Sequence, residues 1–310
     1  MSDTTLTNGA PSPEPAAAET PERVKGRSLW EDARRRLLAN PAAVASLYVV
    51  AILALLATFG PMLWVHKVET IFRDAVAVAP TLTNWHLLGT DTEGRDMVAR
   101  LLFGLRISLL VGIAATAVAL TIGVTWGAMA GFLGGAVDEA MMRFVDVLYA
   151  IPFIFFVIVL MTVVHTESPL ANLMLIFMAI GAVEWLTMSR IVRGQTISLR
   201  RKEFVEAARA AGAGPLGIVF RHIIPNVLGP VVVFATLNIP VIILAESFLS
   251  FIGLGVKEPL TSLGALISRG VGQIQAPWML IAPAATMLVT LLALNFLGDG
   301  LRDALDPKER

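Results

Sequence analysis

Ionisable side chains are scarce in this chain, and their types and spacing exclude most chemistry. Only 15% of its 310 residues are charged, against about 25% in an average soluble domain. It contains no cysteine, which removes disulfides, thiol catalysis and cysteine-ligated metals or clusters. The four histidines, His66, His86, His165 and His222, are scattered and form no His-Glu-x-x-His pair for a catalytic zinc. No Gly-x-x-x-x-Gly-Lys-Ser/Thr loop occurs, so the chain cannot cradle ATP phosphates itself. The run Leu88-Gly89-Thr90-Asp91-Thr92-Glu93-Gly94-Arg95-Asp96 invites a calcium reading but lacks the alternating acids and distal glutamate of an EF-hand. Catalytic residues, metals and cofactors are therefore expected to be absent. Lysine plus arginine equals aspartate plus glutamate at 24 each, which points to no nucleic-acid partner.

The polar groups left inside apolar runs are Glu184, Asn238, Glu246 and Asn295. An ionisable group at the centre of a membrane helix costs about 2.5–3.5 kcal/mol on insertion scales and usually faces a path or a partner. Glu184 lies near the end of its run and can snorkel. Glu246, with Asn238 and Asn295, is a candidate for the lining of a translocation path or its outer gate. Hydrogen bonding within a helix bundle explains Glu246 equally well, and position alone leaves both open.

These groups must be carried by membrane helices. The composition is 56% hydrophobic with mean hydropathy +0.73, and six apolar runs, at about 42–64, 107–131, 147–164, 170–188, 231–251 and 279–296, each approach the ~20 residues needed to span a bilayer. The expectation is an all-α integral membrane protein with six spans and both termini on one side. With the termini inside, six basic residues precede the first span, Arg143 follows the second, seven lie in the loop 190–230 and three at the C-terminus. That places 17 inside against 7 outside, in accord with the positive-inside rule. Residues 1–27, rich in proline, alanine and glutamate, read as a disordered tail. Ser28-Leu29-Trp30-Glu31 opens an amphipathic juxtamembrane helix over 28–41 with Trp30, Ala33 and Leu37 on one side. Within the outer loop 65–106, Val98, Leu101, Leu102 and Leu105 predict an interfacial helix ahead of the second span. Asp138, Glu139, Arg143 and Asp146 fit i, i+4 surface pairing on a short helix, although a contact with another protein also fits. Pro152, Pro240 and Pro283 place kinks in three spans.

The polar loop 190–230 organises the core 107–298. Phe204, Ala207, Ala208 and Ala211 follow i, i+3, i+4, i+7 and share one helical face. Gly212 and Gly214 stop that helix, and a second short one runs from Pro215 to Pro225. Small alanines make a flat, close-approach surface, suited to a groove on another protein or to lipid headgroups.

Glu206-Ala207-Ala208, three residues, Gly212, then Ile224-Pro225 resembles the EAA loop of ABC importer membrane subunits, with His222 departing from the usual ending. The Gly-Thr-Asp and Gly-Arg-Asp run at 89–96, Gly26-Arg27-Ser28-Leu29-Trp30, Arg190-Ile191-Val192-Arg193-Gly194-Gln195-Thr196 and the tail Gly298–Pro307 resemble C-type subunits of the peptide/nickel family, oligopeptide permeases in particular. The resemblance implies a six-helix type I importer permease in a bacterial inner membrane. It also implies a second permease subunit as heterodimer partner, two ATPase subunits carrying ATP and magnesium, and an extracytoplasmic peptide-binding protein. Phe204, Glu206, Ala207, Ala208, Ala211, Gly212 and Pro225 would form the ATPase-coupling element. Dipeptide or nickel transport in the same family, and a self-sufficient secondary transporter, are the alternatives; the latter lacks support because no inverted repeat is visible.

Overall fold

The computed structural model describes residues 29–164 and 166–305. The expected disordered tail, the Ser28 cap and the last five residues lie outside the described residues. The described elements are helices α1 (Leu29–Ala39), α2 (Pro41–Leu63), α3 (Met97–Leu133), α4 (Gly135–Tyr149), α5 (Phe153–Val163), α6 (Pro169–Leu199), α7 (Glu203–Ala210), α8 (Pro215–Ile218), α9 (Ile224–Phe251), α10 (Leu263–Val271) and α11 (Trp278–Leu305), with one 3-10 turn at Thr83–Trp85. Five stretches are long and apolar enough to cross a membrane, and α4 with α5, bent by 77°, makes a sixth only as a pair.

That bent pair corrects the third span. The 11 residues of α5 reach about 16 Å at 1.5 Å per residue, half of a ~30 Å hydrocarbon core. Pro152 donates no N–H and disfavours helix at Ile151, so the chain turns there. Pro240 and Pro283, by contrast, sit inside unbroken helices. Pro61 shows how such a helix survives. Its missing N–H releases the Ala57 carbonyl, which accepts instead from Arg106 Nε at 2.8 Å, while Arg106 Nη2 donates to the Thr58 carbonyl. Such rescue by a neighbouring helix is what lets proline persist in a membrane helix.

The interfacial helix expected ahead of residue 107 is instead the first turns of α3, which runs unbroken for 37 residues. α3 packs along α6 through Gly123, Gly127 and Gly131, four residues apart and so on one face. A Cβ on Gly123 would stand 2.7 Å from Met188 Cβ, and one on Gly131 2.8 Å from the Arg193 carbonyl oxygen. At Gly127 it would overlap the Ser189 carbonyl. Where lipid removes the hydrophobic drive between helices, this close approach supplies the packing.

α11 continues to Leu305, through most of the expected tail, and α1 and the start of α2 dock on it: Gly300 faces Leu37 of α1 and Ala43 of α2. The described ends of the chain therefore lie together. At the opposite end stands α10, absent from the sequence expectations. Ser262 caps it by accepting from the Ala265 N–H at 3.2 Å, and Leu263, Gly264, Ala265 and Leu266 are buried.

Candidate functional site

The expected docking face lies on α7, but its anchor is a residue the alanine pattern did not single out. Phe204, Glu206, Ala207 and Ala211 are exposed, whereas Ala208 is half-buried and Val205 fully buried. Val205 enters an apolar cluster with Phe132 of α3, Val192 of α6, and Ile218 and Ile223, against which Ala208 and Ala213 also pack. Ala208 thus belongs to the foot of the helix and not to its outward face. The i, i+3 pair Val205 and Ala208 was the available signal, since a β-branched residue in an alanine-rich helix marks the side with most area to bury. Arg209 lies over the Phe132 ring at 5.2 Å, and Arg200 Nη1 donates to the Gly131 carbonyl at 3.1 Å.

Gly212 makes the elbow. Its φ is +82°, the left-handed region that glycine enters freely. Its N–H donates to the Arg209 carbonyl at 2.9 Å and the next N–H, of Ala213, reaches the Ala208 carbonyl at 3.0 Å, a Schellman closure. The second short helix expected to end at Pro225 does not end there. It passes through a π-helical stretch, Val219–Ile223, straight into α9, and Pro225 is an exposed residue of the first turn of α9. One continuous rod of 37 residues, Pro215–Phe251, about 55 Å long, links the elbow to the far end of the bundle. Two of the acids on α4 pair with α6: Arg193 grips Asp138 through both oxygens at 2.6 and 2.7 Å, and Arg190 reaches Asp146 at 2.8 Å.

Near the far end of that rod, Glu246 has no exposed surface. Ser250 Oγ donates to it at 2.6 Å and Ser108 Oγ of α3 lies 3.5 Å away. Ser250 also bonds Ser262 at 3.2 Å, and Ser108 Oγ accepts from the Leu263 N–H at 3.1 Å. Glu246 therefore ties α3, α9 and the start of α10 together and lines no open path in this structure. Asn238, a candidate for the same path, is buried beside Glu184. Asn295 is exposed on α11, and nothing described joins it to the other two. Glu246→Ala strips this node of its acceptor and should cost about 1–3 kcal/mol, read as a lower melting temperature in detergent. Glu246→Gln keeps an acceptor for Ser250 and should melt near the wild type. Equal melting of the alanine variant and wild type would show that the node carries no stability.

Residues 123–310 match the family model described as binding-protein-dependent transport system inner membrane component. The chain belongs to this family. Residues 28–80 match the N-terminal TM domain of oligopeptide transport permease C. The chain is 53% identical over 288 residues to the oligopeptide transport system permease protein OppC of Escherichia coli (strain K12), covering 93% of this chain and 94% of that one. It is 50% identical over 289 residues to the protein of the same name from Haemophilus influenzae, with 93% and 91% covered. To the dipeptide transport system permease protein DppC of Bacillus subtilis it is 40% identical over 285 residues, with 91% and 87% covered. Within this inner membrane component, the family match takes in the glycines of the α3–α6 seam, α7 and Glu246.

The component's Gly-Thr-Asp and Gly-Arg-Asp run is buried structure and not an exposed acidic loop. Asp91 accepts from the Glu93 and Arg95 N–H groups at 2.9 and 2.8 Å and pairs with Arg95 Nε at 2.8 Å and Arg100 Nη1 at 3.2 Å. Arg100, expected at an interface, is 2% exposed. Glu258, from the segment before α10, pairs with Arg95 at 3.1 Å and with Arg269. Burial alone would lower the Arg95 guanidinium, but Asp91, Glu258 and Glu93 outweigh it and hold its pKa above the ordinary value. Burial would raise the Glu258 carboxyl, and Arg269 and Arg95 outweigh that, holding it below the usual carboxylate range. A depressed carboxylate stabilises above its unfolded pKa and loses that stabilisation as pH falls through its folded pKa. Acidification to below the usual carboxylate range should therefore loosen the tie between residues 88–96 and Glu258, seen as faster amide exchange there while Gly123–Gly131 stays protected. Unchanged exchange at 88–96 across that range would remove Glu258 from the account.

Proposed function

We propose that the chain is the membrane-spanning permease subunit of an ABC importer for oligopeptides, forming half of a translocation pathway and coupling it to a separate ATPase. The observation that carries the coupling is α7: an outward face of Phe204, Ala207 and Ala211 on a helix footed by Val205 and joined by one elbow to a rod that ends at the Glu246 node. A push on that face would tilt the rod and shift α10 at the other end. Identity to the oligopeptide permeases of Escherichia coli and Haemophilus influenzae, 53% and 50%, above the 40% to the Bacillus subtilis dipeptide permease, supports the longer substrate. The chain has no ATP site of its own, so ATP and magnesium belong to two ATPase subunits. A second permease subunit and an extracytoplasmic peptide-binding protein complete the assembly.

In this reading the chain sits in the bacterial inner membrane with both termini and the loop 190–230 cytoplasmic. Reporter enzymes fused after Ala79 and after Lys202 should report opposite sides of the membrane; identical signals would sink that topology. The function itself is tested by purifying the tagged chain from its native membrane. Peptide uptake by the purified assembly in vesicles should need ATP and the binding protein. Uptake by this chain alone, driven by an ion gradient, would replace the proposal with a secondary transporter.

A further inference from the structure

The fold brings together two histidines far apart in the chain. His66 follows α2 and His86 follows the Thr83–Trp85 turn, and their rings stack with centroids 4.8 Å apart and planes 25° from parallel. Phe72 sets its ring at the edges of both, at 4.9 and 5.0 Å. Partners fix both tautomers. His86 Nδ1 lies 2.9 Å from Asp96 Oδ2, and a carboxylate only accepts, so Nδ1 carries the hydrogen and Nε2 keeps its lone pair. His66 Nε2 lies 2.7 Å from the Asn84 carbonyl oxygen, so there Nδ1 keeps the lone pair. Asp96 is held in turn by Trp64 Nε1 at 2.9 Å and the Ala99 N–H at 2.8 Å.

We propose that His66 and His86 bind a divalent transition-metal cation of the zinc class, with Asp96 as the carboxylate that orients His86. One donor atom from each of the three residues lies within 4.8 Å of the others. A carboxylate behind a ligating histidine is the usual second partner of such a site, fixing the tautomer and raising ligand basicity. Access is open: His86 and Asp96 are buried, but half-buried His66 forms part of the wall of a cavity of about 710 Å³ shared with Lys67, Glu69 and Arg106. Arg106 spends Nε and Nη2 on the Ala57 and Thr58 carbonyls. Water from the cavity would fill the remaining positions on the ion, whose binding would pin the segment after α2 to the start of α3.

Equilibrium dialysis of the assembled complex against zinc chloride, read by elemental analysis, tests the site. Wild type should retain one zinc more than His66→Ala, whose affinity should fall at least about ten-fold. His222→Ala, at the other end of the bundle, should bind as wild type. His66 is the informative position because it is only half-buried, so its alanine variant should keep the wild-type melting temperature without metal. Equal zinc in wild type and His66→Ala, or an equal loss in His222→Ala, would overturn the proposal.

Discussion

Gly127→Val should leave almost no folded chain in the membrane. A Cβ at this position overlaps the Ser189 carbonyl oxygen and stands 3.0 Å from the Arg193 backbone nitrogen, so no side-chain rotation relieves it and α3 and α6 must part. Overpacking a well-packed core commonly costs about 1–3 kcal/mol, and here the displaced atoms are backbone on the longest seam of the bundle. Gly194 on α6 provides the control, because a Cβ there meets nothing within 4 Å. Gly194→Val carries only the modest helix-propensity difference between the two residues. Yield and melting temperature of the two variants in detergent decide the matter, and equal values would mean that the glycine seam does not hold the bundle.

Ala207→Glu should have the second largest effect, and on binding in place of folding. Ala207 is exposed, so the chain should accumulate and melt as wild type. At a desolvated contact an unpaired charge costs about 3–5 kcal/mol, which is more than a hundred-fold in affinity, and the variant should purify without ATPase. Val205→Asp provides the contrast, since it buries a charge in the foot of α7 and should lower the melting temperature itself. If Ala207→Glu retains a full complement of ATPase, the outward face of α7 is not the docking surface.

The existence of the membrane helices was legible because apolar runs of bilayer length admit little else, and α7 because its alanines recur at helical spacing. Boundaries were less so. The interfacial helix expected within 65–106 and the second span expected from 107 are one helix, since no proline separates Met97 from Leu133 and α3 continues to its glycine C-cap. Composition cannot reveal that Ile151-Pro152 turns the chain by 77° while Pro240 does not, since the outcome depends on what neighbours supply. The small-residue spacing of Gly123, Gly127 and Gly131 was present to be read and would have located the α3–α6 seam. The serine partners of Glu246 were not, because Ser108, Ser250 and Ser262 belong to three elements that only the fold brings together.

The chain has no cysteine, so a single one placed at Ala207 is an unambiguous probe of the coupling surface. In native membranes, Ala207→Cys treated with a short thiol-to-amine cross-linker should join this chain to an ATPase subunit, and adding ATP should change the yield of that adduct. Labelling should occur only from the cytoplasmic side. A chain that continues to import peptide, yet whose introduced thiol forms adducts with aminolipid alone or is labelled from outside, would contradict the account and return α7 to the headgroup surface.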